Sequence, residues 1–230
     1  MVSVCIATYN GERYLREQLS SILSQIGEND EVIISDDGST DGTLEVLNSY
    51  STDKRIKLFN NTKKGFVHNF ENALNNAKGD YIFLCDQDDV WLPGKVEKCV
   101  NLLQENIIVN HNSTLVNSDG ESLGTDFFSH HKSKKGYFSN LIRNSYCGCC
   151  MAFRRELLKY ILPFPRRIAS HDIWIGLVAE KRGKTAFCDE PLILYRRHGL
   201  NVSSTSEKTR LSLYTQIEYR AYMFLHSLLR

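Results

Sequence analysis

Short apolar segments alternate with longer segments of helical spacing through the first hundred residues, and this order restricts the fold most. Val2–Thr8, residues 31–35 and Tyr81–Cys85 are apolar runs that predict buried strands. Residues 12–26 and 66–77 place apolar side chains three or four positions apart, as amphipathic helices do. This alternation predicts an α/β fold with a mostly parallel central sheet flanked by helices.

Further segments complete the pattern, which becomes less regular in the second half. Strands are predicted at residues 56–59, 107–116, 146–153 and 185–195, and helices around Leu44 and at 95–104 and 170–181. Residues 117–140 are polar and rich in lysine and histidine, so we expect a mobile loop there.

The C-terminal segment, residues 207–230, predicts one amphipathic helix. Its apolar stripe consists of Leu211, Tyr214, Ile217, Ala221, Phe224, Leu225 and Leu228. Such a stripe needs a cover, and the candidates are the helix's own domain, a partner subunit or the membrane surface.

Charge and cysteine content restrict the partners and the compartment. Lys and Arg number 28 against 27 Asp and Glu, so no overall positive charge favours nucleic acid. The seven cysteines are an odd number without a regular framework, which favours a reducing, cytoplasmic location. The motif Cys147-Gly148-Cys149-Cys150 lacks a second spaced pair. We therefore expect small buried residues on a packed strand rather than a zinc site.

Three carboxylates, Asp86, Asp88 and Asp89, follow the predicted strand Tyr81–Cys85 directly. Acidic residues at the carboxyl end of a strand lie in the crevice where α/β folds bind ligands. Asp86 and Asp88 are two residues apart and can face one hard cation, Mg²⁺ or Mn²⁺. The alternative is a solvated acidic turn.

The ends of the neighbouring strands carry groups suited to a nucleotide. Tyr9 offers a ring for stacking on a base, and the turn that carries Asp36 and Asp37 offers a carboxylate that can accept from the N–H of uracil or thymine. Lys64 follows the third strand, where it is either a diphosphate ligand or part of a solvated basic turn. No Gly-x-Gly-x-x-Gly follows the first strand, so a dinucleotide cofactor fits poorly.

Two residues in the second half of the chain, Asp172 and His198, each have a possible structural role and a possible functional role. Asp172 opens a predicted helix, where it is either a cap and dipole partner or a general base that removes a proton from a hydroxyl. His198 follows Arg196 and Arg197 at the end of a strand, where this segment is either structural or reaches phosphates or a metal.

Taken together, these segments resemble the family 2 inverting glycosyltransferases with a GT-A fold. The similarity spans nearly the whole chain and is carried by VCIATYNG (4–11), SDDGSTDGT (35–43), AKGDYI (77–82), DQDDVW (86–91), GCCMAFRREL (148–157) and YRRHG (195–199). The motif KGFVHNF (64–70) is most similar to bacterial transferases of the rhamnosyltransferase type, which build surface polysaccharides.

The resemblance implies a reaction and a domain organisation. A hexose or deoxyhexose would move from a UDP- or dTDP-sugar donor to a hydroxyl of a glycan or lipid-linked glycan, with Mn²⁺ or Mg²⁺ as cofactor. We expect a GT-A domain over residues 1–206, with a nucleotide-sugar half at 1–105, an acceptor half at 106–206, and the helix 207–230 appended. A cytoplasmic position at the inner face of the membrane would suit such an enzyme.

The resemblance also implies residue roles. Thr8 and Asp37 would hold the nucleoside, and Asp172 would be the catalytic base, with His171 standing where many members carry an acid. The DXD motif corresponds to Asp86, nearer the ribose, and Asp88, the metal ligand. His198 would complete metal or diphosphate binding.

Two other classes of protein remain as alternatives. A metal-dependent phosphoryl-transfer enzyme also places Asp residues at strand ends, but it needs an Asp nucleophile after the first strand, where Thr8, Tyr9 and Asn10 stand. A non-catalytic sugar-nucleotide-binding module is disfavoured by the presence of both DXD carboxylates and Asp172.

Overall fold

The computed structural model describes residues 1–168, 170–199 and 212–230, which form one sheet with helices on both faces. The strands are β1 (Val2–Thr8), β2 (Glu31–Asp36), β3 (Ile56–Asn60), β4 (Tyr81–Cys85), β5 (Val90–Trp91), β6 (Ile108–Val116), β7 (Ser122–Asp126), β8 (Met151–Arg154) and β9 (Thr185–Arg196). The helices are α1 (Glu12–Leu23), α2 (Thr43–Asn48), α3 (Phe66–Asn76), α4 (Lys95–Leu102), α5 (Phe127–His131), α6 (Tyr137–Ile142), α7 (Leu158–Ile161), α8 (His171–Arg182) and α9 (Leu213–Leu228).

The sheet order is β3-β2-β1-β4-β8-β6-β9-β5, with β7 paired to β6. β1 is parallel to β2 and β4, β2 to β3, and β6 to β9. The strands β5, β7 and β8 pair antiparallel, so the other strands all run in one direction. The predicted α/β fold, with a sheet of mostly parallel strands flanked by helices, is confirmed. The carboxyl ends of these parallel strands share one rim.

The central strands are buried on both faces, which explains why their sequences are almost continuously apolar. Val4 and Ile6 of β1 belong to one core cluster together with Leu15 of α1. Cys5, which points to the other face of β1, belongs to a second cluster with Phe70 of α3. Because side chains alternate along a strand, each face of the sheet requires its own layer of helices.

The expected mobile loop at residues 117–140 is wrong, because this segment contains β7, α5 and the start of α6. Asp126 caps α5 by accepting a hydrogen bond from the Ser129 amide at 2.9 Å. Phe127 is 3% exposed and Asn140 is fully buried, so both anchor the segment to the core. The polar composition of the segment does not indicate that Phe127 and Asn140 are buried.

The strand expected over residues 146–153 is shorter than predicted and begins at Met151. A single 3₁₀ turn, Gly148–Cys150, precedes it, closed by a 2.9 Å bond from the Cys150 amide to the Cys147 carbonyl. The turn folds the cysteine motif back on itself instead of extending it along a strand.

The C-terminal helix α9 packs on its own domain, through a face that differs from the predicted stripe. Met223 and Ser227 are buried, and Ser227 accepts from Lys181 of α8 through its carbonyl. Ile217 and Leu225 of the predicted stripe are 64% and 59% exposed. Residues 207–211 lie outside the described residues.

Candidate active site

The predicted site residues are linked by a continuous chain of contacts along the rim. The Lys64 ammonium donates to the Asp37 carbonyl, and the Asp37 amide donates to the Thr8 carbonyl at 2.9 Å. The loop after β1 is in turn bonded to the turn after β4, which carries Asp86 and Asp88. Elements far apart in sequence therefore meet at the carboxyl ends of the parallel strands.

Asp88 and His198 form a close pair across the rim. Oδ2 of Asp88 lies 2.8 Å from Nε2 of His198, and the two side chains are 11% and 12% exposed. The ring of Tyr14, from α1, stacks on the His198 ring with their centroids 5.0 Å apart. Two of the residues predicted as metal ligands, Asp88 and His198, therefore lie in direct contact.

The turn that carries the carboxylates is held in place by Arg196 at the end of β9. The Arg196 amide donates to Asp89 Oδ1 at 3.0 Å, and its Nε donates to the Asp88 carbonyl at 2.9 Å. Its other nitrogens donate to the Ser118 carbonyl at 2.9 Å and to Glu17 at 2.8 Å. The side chain is 4% exposed. Arg196 thus fixes the acidic turn, which is the structural alternative that the sequence left open for this segment.

The carboxylates of this turn repel one another in a buried environment. Burial, followed by the neighbouring charges of Asp88 and Asp172, raises the pKa of Asp86 to about 7. Burial, with Asp88 and Asp86 next, raises the pKa of Asp89 well above its usual value. Among the described residues, Asp89 Oδ2 has no hydrogen-bond partner and is buried. Two carboxylates with raised pKa values therefore lie together in this turn.

A divalent cation fits this set of residues. Asp86, Asp89 and Cys149 each offer one ligand atom, and these atoms lie within 4.8 Å of one another. Carboxylate oxygens suit Mg²⁺ or Mn²⁺, whereas a thiol suits a softer metal. Asp88 stands beside this group, paired with His198. The sequence favoured Asp86 with Asp88, but a turn at residues 87–88 brings Asp89 back towards Asp86.

Thr8 is placed behind the rim rather than on its surface. Its side chain is fully buried, and its hydroxyl donates to Asp36 Oδ2 at 2.8 Å. Asp36 also accepts from the Gly38 and Ser39 amides at 2.9 and 2.8 Å. Gly38 has a φ of 83°, which a glycine adopts without strain. Thr8 therefore shapes the turn that presents Asp37.

Asp37 faces α3 and the loop before it. Its carboxylate accepts from Asn61 Nδ2 at 2.8 Å and from the Gly65 amide at 2.9 Å. Lys64 is exposed and donates to the Asp37 carbonyl. The acidic and basic residues predicted to contact a nucleotide thus lie side by side.

Gln87 is a site residue that sequence reasoning missed. Its amide accepts from the Tyr9 amide at 2.8 Å and donates to the Tyr9 carbonyl at 2.9 Å. Tyr9 is 54% exposed, so its ring remains accessible for stacking. The reciprocal pair fixes the backbone from which Tyr9 projects. The sequence feature that could have indicated this role is the amide side chain of Gln87 within the motif DQDD (86–89).

Asp172 lies at the amino-terminal end of α8. Its Oδ1 accepts from the Ile173 amide at 2.6 Å and from the Ser170 hydroxyl, and its Oδ2 accepts from Asn144 at 3.3 Å. Its charge contributes to the raised pKa of Asp86, so the two carboxylates are electrostatic neighbours. The start of α8 therefore places the Asp172 carboxylate where its charge acts on the acidic turn.

His171 packs into the core beside the site. Its ring stacks on Phe70 with centroids 4.0 Å apart, and burial lowers its pKa to about 4. A neutral imidazole therefore occupies this position at physiological pH. The ring packs against the core at the start of α8. Asp172 is therefore the carboxylate of the His171–Asp172 pair.

With this geometry established, comparison with known proteins decides the family. Residues 3–162 match the profile of Glycosyl transferase family 2. The chain belongs to this family. Its relatives include TuaG of Bacillus subtilis strain 168, named as a teichuronic acid biosynthesis glycosyltransferase, which is 31% identical over 98% of this chain and 90% of TuaG.

A second relative of this glycosyltransferase has a more detailed name. WfgD of Escherichia coli is named as a UDP-Glc:alpha-D-GlcNAc-diphosphoundecaprenol beta-1,3-glucosyltransferase. It is 28% identical to this glycosyltransferase over 90% of this chain and 81% of WfgD.

Solved structures support the GT-A fold of this glycosyltransferase. Staphylococcus aureus TarS 1-349 in complex with UDP-GlcNAc matches 97% of the chain with a TM-score of 0.71 at 20% identity. The mannosyltransferase PcManGT from Pyrobaculum calidifontis, in complex with GDP-Man and Mn²⁺, matches 99% with a TM-score of 0.62 at 21% identity. The chain spans 66% and 63% of these two solved chains, less than two thirds of each. None of the helices in the described residues has the length and apolar character needed to cross a membrane.

Proposed function

We propose that this glycosyltransferase is an inverting enzyme that moves a hexose or deoxyhexose from a UDP- or dTDP-sugar to a hydroxyl. The acceptor is a glycan or lipid-linked glycan, and the product is a surface polysaccharide. The observation that carries the proposal is the convergence at one rim of the acidic turn of Asp86 and Asp88, its partner His198, and the hydrogen-bonded loops that lead to Asp37.

The rim residues divide into groups that bind and groups that react. Tyr9 stacks on the base, Asp37 accepts from its ring N–H, and Lys64 lies on the side of the diphosphate. Mn²⁺ or Mg²⁺ would be held by Asp86, Asp88 and His198, with Asp89 beside them, and supplies positive charge that offsets the charge of the departing diphosphate.

Asp172 performs the proton transfer. Its carboxylate takes the proton of the acceptor hydroxyl while that oxygen attacks the anomeric carbon from the face opposite the diphosphate. One displacement inverts the configuration, so a covalent sugar–enzyme intermediate is not needed. Hydrogen bonds from Asn144 and the Ile173 amide hold the Asp172 carboxylate in place.

The relatives support the donor and acceptor classes of the proposal. WfgD is named for a UDP-linked glucose donor and a diphosphoundecaprenol-linked acceptor. TarS was crystallised with UDP-GlcNAc. A lipid-linked acceptor places the reaction at the cytoplasmic face of the membrane, where the exposed apolar residues Ile217 and Leu225 of α9 would contact lipid or a partner.

The test is a thermal-shift screen of UDP, dTDP and GDP, each with and without Mn²⁺, followed by assays with the sugar nucleotides that bind. We expect UDP or dTDP with Mn²⁺ to raise the melting temperature, because a ligand at 100 times its dissociation constant adds about 2.7 kcal/mol to stability. The configuration of the product at the anomeric carbon, followed by NMR, tests inversion.

Each outcome of this screen has a defined meaning. Binding of GDP alone would overturn the donor class, and retention of configuration would overturn the single displacement. Binding of UDP or dTDP without any transfer or donor hydrolysis would favour a non-catalytic sugar-nucleotide module.

A further inference from the structure

Three cysteine thiols form a compact buried cluster behind the acidic turn. The Sγ atoms of Cys147, Cys149 and Cys150 all lie within 4.8 Å of one another, and those of Cys147 and Cys149 are 3.5 Å apart. The three residues are 8%, 0% and 0% exposed. All three are free cysteines.

The 3₁₀ turn is what gathers these thiols. An extended strand, as expected from the sequence, would point Cys149 and Cys150 to opposite faces. The turn instead tightens the backbone over Gly148–Cys150. A Cβ on Gly148 would lie 2.7 Å from Nε2 of His171, so the residue between the cysteines must be glycine for the turn to pack there.

His111 supplies a fourth side chain from the neighbouring strand. In the antiparallel pair of β6 and β8, Asn110 is opposite Met151. Cys150 precedes Met151 and ends the 3₁₀ turn, so the turn comes next to His111 at the end of this pair. The two side chains are close enough to influence each other's ionisation.

The orientation of the His111 ring suits a metal ligand. Nδ1 lies 2.7 Å from the Asn112 carbonyl, so Nδ1 carries the proton and Nε2 keeps its lone pair. His111 is fully buried, and the Cys150 thiol is a neighbour of its ring. An ion that takes the place of the thiol proton would be shared by His111 and Cys150.

A buried lysine provides the matching charge. Lys95 is fully buried, donates to the Cys149 carbonyl at 3.0 Å and lies 4.2 Å from the Trp91 ring centroid. No carboxylate of residues 1–168, 170–199 or 212–230 is within ion-pair distance of it. Zn²⁺ with three thiolates and a neutral imidazole carries a net charge of −1, which Lys95 would balance.

We propose that Cys147, Cys149, Cys150 and His111 bind a structural Zn²⁺ ion. Zn–S bonds of about 2.3 Å in a tetrahedron place sulfur atoms about 3.8 Å apart, within the span that the cluster already has. Binding releases the remaining thiol protons to solvent. The soft ligands take zinc, and the oxygens of Asp86 and Asp89 remain for the hard cation at the rim.

The first test measures metal in the full chain. Protein expressed with added zinc is dialysed under a non-thiol reductant against metal-free buffer, and its zinc is quantified by mass spectrometry. We expect about one zinc per chain. Zinc below about one tenth of the protein concentration overturns the proposal.

Cobalt distinguishes the thiol cluster from the carboxylate rim. Co²⁺ bound by thiolates gives sulfur-to-metal charge-transfer absorption in the near ultraviolet, whereas Co²⁺ bound by carboxylates does not. We expect this absorption in the zinc-depleted protein, its loss on adding Zn²⁺, and no change with excess Mg²⁺. Cobalt binding without the charge-transfer band overturns the proposal, and this measurement needs no variant.

Matched serine variants locate the site. Cys147→Ser and Cys150→Ser should each lose the bound zinc, whereas Cys5→Ser, which alters an equally buried cysteine of β1, should retain it. Zinc retained at the wild-type level in both cluster variants overturns the assignment. Should a variant fail to fold, the cobalt spectrum of the unaltered chain decides.

Discussion

His198 Nε2 lies 2.8 Å from Asp88 Oδ2, although the two residues are 110 positions apart in the chain. The contact joins the segment that follows β9 to the turn that follows β4, so the two halves of the domain meet at one carboxylate. It makes the geometry of the acidic turn depend on the second half of the chain.

We predict that Asp88→Asn weakens Mn²⁺-dependent nucleotide binding by at least about 10-fold, because the change removes a negative charge from the proposed ion site and from its pairing with His198. Calorimetric titration of UDP with and without Mn²⁺ measures the effect. Asp119→Asn, which alters a carboxylate with a 69% exposed side chain, should leave binding unchanged. Equal affinity of wild type and Asp88→Asn would remove Asp88 from the metal site.

Asp172→Asn should lower the rate of sugar transfer by at least about 100-fold while nucleotide binding stays within about 2-fold of wild type. The amide keeps the shape of the side chain at the start of α8, but it cannot take a proton from the acceptor. Steady-state transfer kinetics alongside nucleotide titration measure both quantities. Transfer at the wild-type rate would show that another group is the base.

Gln87→Ala should reduce donor affinity by about 5- to 150-fold, because it removes two hydrogen bonds worth about 0.5–1.5 kcal/mol each from the loop that carries Tyr9. We expect the donor KM to rise while kcat changes little. Gln104→Ala, which alters an exposed amide side chain just after the C-terminal end of α4, serves as the control. A fall in kcat with an unchanged KM would contradict a positioning role for Gln87.

His171→Gln should flatten the pH dependence of stability between pH 6.5 and 4. The unfolded imidazole binds a proton below its ordinary pKa of 6.5, but the buried one does so only near 4. The unfolded state therefore binds more protons in this window, and stability falls as the pH is lowered through it. The shift corresponds to about 3 kcal/mol.

Urea unfolding of wild type and variant at pH 7, 5.5 and 4.5 measures this slope. His130→Gln, at an exposed histidine, should keep the wild-type slope. If His171→Gln and wild type showed the same slope, the buried imidazole would not be the cause of the protein's loss of stability in acid.

Local sequence patterns were sufficient for the elements of the first half. β4 has the predicted bounds Tyr81–Cys85, and α3 ends one residue before its predicted end. These segments are buried on one or both faces, so the spacing of apolar side chains records the periodicity of the backbone directly. β5 was missed, because two residues are too few for a period to show.

Polar segments were predicted less well, because their order comes from partners distant in the chain. Residues 117–140 fold around the buried Phe127 and Asn140, and the turn at Gly148–Cys150 depends on packing against His171. Neither contact leaves a pattern within its own segment. The same applies to Arg196, whose role requires Glu17 and the acidic turn to be near.

The sequence by itself determined which chemical groups stand at the strand ends, because a strand followed by carboxylates is a local pattern. It therefore indicated the fold class and placed candidate groups at the rim, and the resemblance of its motifs indicated the family and the candidates Asp37, Asp86, Asp88 and Asp172. Only the tertiary structure decided which groups meet: Asp88 with His198, Asp86 with Asp89, and His111 with the cysteine turn. Those pairings depend on strand order and register, which arise from packing across the whole sheet.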